Sequence, residues 1–186
     1  MKTPLCTRLG IELPIVQAPM GGAGGPALAA AVCNAGGLGM LALWHADADT
    51  MRRQIRETRA LTSRPFGMNL NLEFRQEKRL AVCLEERVPI ISFFWRDPID
   101  LVPRAKEGGA IVMHTVGSAA DAKRAVDAGV DIVIAQGWEA GGHVRGTVAT
   151  MPLIPAVVDA VSPAPVVAAG GIADGRGLAA ALALGA

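Results

Sequence analysis

Four short segments of this chain combine residue types that can hold a ligand and move a proton. The densest is Gln136-Gly137-Trp138-Glu139-Ala140-Gly141-Gly142-His143-Val144-Arg145-Gly146. Its glycines let backbone N–H groups approach a ligand closely, and His143 sets an imidazole, able to donate or accept a proton, among them. The competing reading is a flexible surface loop with a solvated histidine. The second segment, 166–171, ends in Gly170-Gly171 and runs into Ile172-Ala173-Asp174-Gly175. A strand that ends in two glycines ahead of an Asp-capped helix offers free N–H donors and the positive end of a helix dipole, which suits a phosphate. An ordinary tight turn would have the same residues. The third, Gln17-Ala18-Pro19-Met20-Gly21-Gly22, and the fourth, Phe66-Gly67-Met68-Asn69-Leu70-Asn71, are weaker alone. Asn69 brings both a donor and an acceptor, whereas Asn71 serves equally well as a helix cap. Arg145 is a further cation beside the first loop, and simple solvation also accounts for it. His45 and His114 end strand-like runs; each either faces a substrate or is a supporting or surface residue.

These segments must be positioned by alternating elements. Strand-like apolar runs at 15–20, 38–43, 66–72, 89–94, 110–116, 131–136 and 165–169 are separated by helix-like stretches. Helices are expected from Pro26 to the Gly36-Gly37 pair and at 47–62, 77–87, 99–107, 118–128, 153–161 and 174–184, with Ser118 as an N-cap. Seven β–α units joined by right-handed crossovers give an α/β fold with a parallel sheet. Most strands are continuous apolar runs, as expected where both faces are covered. An open doubly wound sheet concentrates its glycines after the first strand. Here polar or glycine-rich stretches follow strand after strand, at 21–25, 69–71, His114, 136–146 and 170–171, which is the habit of a (β/α)8 TIM barrel. Such a barrel needs eight strands and typically ~250 residues. The reading is therefore one barrel domain over 1–186 holding about seven units, from a protein that continues by at least one more. The seventh strand would otherwise leave a bare sheet edge beside an absent eighth, and the apolar helix-like ending at 178–186 has nothing polar to finish it.

Composition limits the alternatives. Of 186 residues 51% are hydrophobic and 19% charged, with a net charge of +1. That excludes disorder and leaves no basic block for a nucleic-acid backbone. No apolar run long enough for a membrane helix escapes interruption by Gly or Pro, and the N-terminus lacks the apolar core of a signal peptide. Cys6, Cys33 and Cys83 are odd in number and far apart, without zinc-like spacing. Cys33 and Cys83 fall on apolar helix faces as free buried thiols, so no metal and a reducing, cytoplasmic location are expected.

The stretches PIVQAPMGG, NAGGLGML, FGMNLNLEF, HTVGS, QGWEAGGHVRG and PVVAAGGIADGRG occur in this order from Pro14 onward, and together they resemble the nitronate monooxygenase family, formerly the 2-nitropropane dioxygenases. The resemblance implies an FMN-dependent barrel. In it Ala18, Pro19 and Met20 would lie under the isoalloxazine, Asn69, Gln136, Gly141 and Gly142 would contact the cofactor, and the Gly170-Gly171 turn would receive the phosphate. His143 would stand beside the flavin as the catalytic residue. It would hydrogen-bond an anionic nitronate, or take a proton from a neutral nitroalkane. The implied reaction converts an alkyl nitronate with O2 into a carbonyl compound and nitrite, the flavin carrying the redox chemistry. No nucleic acid or membrane partner is implied, and a homo-oligomer is left open. A related family, the FMN- and NAD(P)H-dependent enoyl-acyl-carrier-protein reductases, shares the EAGGH loop and the AAGGIADGRG turn, while NLNLEF and ISFFW look more like the nitronate enzymes. A non-catalytic barrel remnant is the third reading; retention of His143 and of every cofactor segment argues against it.

Overall fold

The computed structural model describes residues 2–186. Its six strands are β1 (Gly39–Ala42), β2 (Phe66–Asn71), β3 (Ile90–Phe94), β4 (Ile111–Val116), β5 (Ile132–Gln136) and β6 (Val166–Ala169). They are parallel and lie in chain order, each hydrogen-bonded to the next. A doubly wound sheet reverses its strand order at a switch point; none occurs here, and the sheet follows the course of a (β/α)8 barrel. The crossovers carry helices α2 (Pro26–Asn34), α3 (Ala48–Leu61), α4 (Glu77–Glu85), α5 (Val102–Glu107), α6 (Ala119–Asp127), α7 (Thr150–Val161) and α8 (Gly175–Ala183), while α1 (Pro4–Leu9) precedes them all. Caps set several starts: Asp47, Ser118 and Asp174 accept N–H bonds from Thr50, Asp121 and Arg176.

Side chains alternate across the strands and so feed two separate cores. Outward residues such as Met68, Leu70, Ile91, Phe93, Val112 and Val133 pack with Met51, Ile55, Leu80, Cys83 and Leu153 of the helices. Inward residues Leu38, Met40, Ile90, Met113 and Ile132 pack against Leu5, Cys6 and Leu9 of α1. That helix closes the N-terminal ends of the strands. It is six residues long, too short for a periodic pattern, and nothing in the apolar periodicity announces it. Its signals are Thr3, whose Oγ accepts the Cys6 N–H, Pro4 in the first turn and a left-handed Gly10 after its end.

The count of strands departs from expectation. Seven strand-like runs occur in sequence, but 15–20 contributes only a parallel bridge from Val16 to Leu38. Backbone bonds join Gln17 N to Leu38 O and Leu38 N to Ile15 O. Beyond them the side chain of Gln17 replaces the backbone as partner: its amide donates to Met40 O at 3.2 Å and accepts from Met40 N at 3.4 Å. Pro19 then has no N–H to continue a ladder. All three cysteines are free and buried, and burial pushes the Cys83 thiol up to about 12, which keeps it protonated and unreactive.

Candidate active site

Toward the C-terminal ends of the strands the inward positions turn polar. Asn69, Ser92, Thr115 and Gln136 are all buried there. Asn69 and Ser92 are register partners on β2 and β3, and the Asn69 amide donates to Ser92 O and Oγ only at a long 3.4 Å. That leaves most of its hydrogen-bonding capacity for a ligand above it. Asn71 instead turns the chain locally, accepting the Glu73 N–H at 2.8 Å through its side chain. Ser92 escaped the sequence reading because a serine inside an apolar strand carries no motif; only its alignment with Asn69 shows its place.

The loop after β5 is built around the Gln136 side chain. Its Nε2 donates to His143 O at 2.8 Å, and its Oε1 accepts the Arg145 N–H at 3.2 Å. The amide thus pins both sides of the residue expected to do chemistry. A Cβ at Gly137 would collide with Thr150, and this close approach is what the glycine permits. Thr150 Oγ donates to Glu139 Oε2 at 3.0 Å and lies 3.1 Å from Gly170 O, joining the loops after β5 and β6. Backbone N–H bonds, that of Thr150 among them, hold the Glu139 carboxyl below the usual carboxylate range. Gly141, Gly142 and His143 form the exposed outer part of the loop, and a Cβ added at Gly141 would meet nothing within 4 Å. The His143 ring lies 6.0 Å from Trp95, edge to face, and 6.5 Å from Phe94.

Arg145 is not a solvated cation. Its side chain is 18% exposed, and Nη1 donates to Trp95 O and, at 3.3 Å, to His114 Nε2. Asp97 and Asp121 follow at 3.5 and 3.8 Å. His114 is fully buried in the layer between strands and helices. Its Nδ1–H donates to Phe93 O at 3.1 Å, which leaves Nε2 as the acceptor for Arg145. Burial, then the charge of Arg145, pushes the His114 pKa down to about 4, so the ring is neutral near pH 7 and supports the site from behind. His45, at the end of β1, is exposed against Trp44 and Phe74.

After β6, Gly170 and Gly171 take φ of 116° and 67°, a positive-φ turn of the kind whose backbone groups can form an anion-binding nest. The α8 N-terminus is held by Asp174, whose Oδ1 accepts from Arg176 N at 2.9 Å and Gly177 N at 3.4 Å. An anion is therefore better served by the glycine turn than by the helix end. Ala18, Pro19 and Met20 are exposed, and Ala18 also borders an apolar groove of ≈ 600 Å³ that runs along the open edge of the sheet from Leu5 of α1 past Gly170 to Ala186.

These residues fit a flavin nucleotide. They offer open space over Gly141, an amide with spare capacity at Asn69, an exposed apolar segment at 18–20 and a turned glycine pair for a phosphate. FMN bound there would rest on Ala18, Pro19 and Met20, with Asn69 and Gly141 at the ring. Among the described residues no cluster of His, Cys, Asp and Glu could hold a metal ion, and no helix is long and apolar enough to cross a membrane.

The chain is similar to several known proteins over nearly all of its length. The chain is 44% identical to FabK from Thermotoga maritima, with a TM-score of 0.96 over all of this chain and 60% of that one. It is 36% identical to nitroalkane oxidase from Streptomyces ansochromogenes, with a TM-score of 0.89 over 97% of this chain and 64% of that one. Over 189 aligned positions it is 43% identical to (3aS,4S,5R,7aS)-5-hydroxy-7a-methyl-1-oxo-octahydro-1H-indene-4-carboxyl-CoA dehydrogenase of Mycobacterium tuberculosis, covering all of this chain and 53% of the relative. Over 234 positions it is 38% identical to nitronate monooxygenase of Paraburkholderia phytofirmans, covering all of this chain and 63% of the relative. The chain thus spans roughly half to two thirds of the length of these relatives. A family model described as nitronate monooxygenase matches residues 2–78 and 71–186. With the barrel order, the glycine loop carrying His143 and these matches together, the chain belongs to the nitronate monooxygenase family of FMN-dependent TIM barrels.

Proposed function

We propose that the complete protein is an FMN-dependent oxidoreductase whose substrate binds over the flavin beside His143. The observation that carries this is the convergence of four strand ends and the segment after the Val16 bridge. Ala18–Met20, Asn69 with Ser92, the Gln136-pinned loop and the Gly170-Gly171 turn all open on one side of the sheet. Bound FMN supplies two-electron redox chemistry that no side chain here provides. The chain's own residues do the rest. Asn69 orients the ring, the glycine turn holds the phosphate, and the loop presents an exposed imidazole to the substrate. In the nitronate reading that imidazole donates a hydrogen bond to the anionic oxygen, or removes a proton from the carbon of a neutral nitroalkane. The products are a carbonyl compound and nitrite.

A second reading, an acyl-thioester substrate reduced or oxidised with a nicotinamide partner, is favoured by a specific observation. The 234 positions aligned with the nitronate monooxygenase exceed the 186 residues here by 48, so that relative carries a stretch with no counterpart in this chain. The 189 positions aligned with the carboxyl-CoA dehydrogenase exceed it by 3. Identity is also higher to that dehydrogenase and to FabK. Similarity of length and sequence therefore weighs toward the thioester, and the family name toward the nitronate. Stopped assays on the complete holoenzyme separate them. Nitrite released from an alkyl nitronate without NAD(P)H supports the first. Flavin reduction by NAD(P)H, followed by reoxidation on adding an enoyl thioester, supports the second. Neither reaction with a fully flavin-loaded protein would overturn both.

A further inference from the structure

We propose that Arg145 is a positioning residue, a latch that ties the His143 loop to the outer layer of the barrel and so sets where the imidazole stands. The inference rests on the reading of His143 as the group beside the substrate. Arg145 follows His143 by two residues, and its N–H is held by Gln136 Oε1 at 3.2 Å. Its side chain turns away from the cofactor space. It reaches Trp95 O beyond β3, His114 Nε2 on β4, Asp97, and Asp121 at the start of α6. One planar guanidinium with five donors can serve three hydrogen-bond acceptors and the nearby Asp121 carboxylate at once, which the single ammonium of lysine cannot do in the same geometry.

The latch acts on His143 from two sides. On one side it fixes the backbone of the loop itself. On the other it holds the carbonyl of Trp95, a non-glycine residue at φ 79°, a conformation that persists only when its surroundings over-determine it. The Trp95 ring is the edge-on neighbour of His143 at 6.0 Å, and its indole N–H finds no acceptor among the described residues. The ring packs on Phe94 at 4.8 Å without a hydrogen bond of its own, so the grip on its carbonyl supplies the polar restraint on its position. His114 completes the arrangement: buried and neutral, it offers Arg145 a lone pair and no charge of its own.

The test is a double-mutant cycle in the complete, FMN-loaded protein, joined to hydrogen exchange of the loop. Arg145→Ala lowers kcat by roughly 10²-fold at saturating FMN, the size expected when a reacting group is displaced by about an ångström. The double variant His143→Ala/Arg145→Ala is no slower than His143→Ala alone, because the latch acts through that residue. Arg145→Lys recovers only part of the loss. In Arg145→Ala the amides of 137–146 exchange faster while those of β4 keep wild-type protection. Independent, multiplying losses in the double variant would overturn the positioning role. Wild-type exchange in the loop would overturn the latch, whatever the kinetics. Full activity of His143→Ala with faster loop exchange would remove the catalytic reading of His143 and leave the latch standing.

Discussion

At the N-terminal ends of the strands the inward residues are Leu38, Met40, Ile90, Met113 and Ile132, sealed by Leu5, Cys6 and Leu9 of α1. Asp131 anchors that seal: it binds Arg8 at 2.6 Å, Lys106 at 3.0 Å and the Val112 N–H at 2.9 Å. At the other end the same strands present Asn69, Ser92, Thr115 and Gln136, under loops of glycine with Trp138 60% exposed. One end holds the barrel together with apolar contact and a saturated carboxylate. The other keeps amides and N–H groups in reserve. The contrast teaches that stability and chemistry are divided along the strand axis, so substitutions at the two ends should affect different measurements.

The largest expected effect breaks the division from the chemical end. His143→Ala in the complete enzyme should lower turnover on a neutral nitroalkane or other proton-donating substrate by roughly 10²–10⁴-fold, while thermal unfolding and flavin content stay at wild-type values. Loss of folding instead would show that the loop is structural. From the sealed end, Met113→Ala opens a cavity beneath the site and should cost about 2–5 kcal/mol in denaturant unfolding, with kcat per folded molecule unchanged.

Two pH effects sharpen the comparison. The His114 pKa lies at about 4 when folded, pushed down by burial and by Arg145, against about 6.5 when unfolded. Below pH 6.5 the unfolded chain takes up a proton that the folded one refuses. Stability should thus fall by up to about 3 kcal/mol as pH drops from 6.5 toward 4, and His114→Gln should flatten that limb. The Asp131 carboxyl acts in the same direction, but at lower pH. Burial opposes its charge, but the Val112 N–H, Lys106 and Arg8 outweigh burial and hold it below the usual carboxylate range. Its contribution is present at neutral pH and is lost only as pH falls through that lowered value. Asp131→Asn should cost about 1–3 kcal/mol near pH 7 and weaken the acid limb below the His114 window. Urea titrations of both variants across pH decide the assignment.

Much of this division was legible in the sequence. Apolar runs alternating with capped helices predicted a parallel barrel, and glycine-rich stretches after successive runs marked the chemical end. What escaped depends on contacts between distant residues. The run 15–20 reads as a strand, yet Gln17's side chain takes the place of its ladder bonds to Met40. Arg145 reads as a solvated cation because its four partners lie between 24 and 50 residues away in sequence. Ser92 is set by strand register, and α1 by caps rather than periodicity.

The central claim is that FMN occupies the open space over the glycine loop, and Gly141→Val tests it most directly. A Cβ at this position meets no protein atom within 4 Å, and no left-handed backbone opposes a side chain, so the variant should fold with wild-type melting of the flavin-free protein. FMN titration of the complete protein, followed by flavin fluorescence, should then show binding strongly weakened or lost, because the added isopropyl group takes the cofactor's space. Wild-type FMN affinity in Gly141→Val would contradict the account.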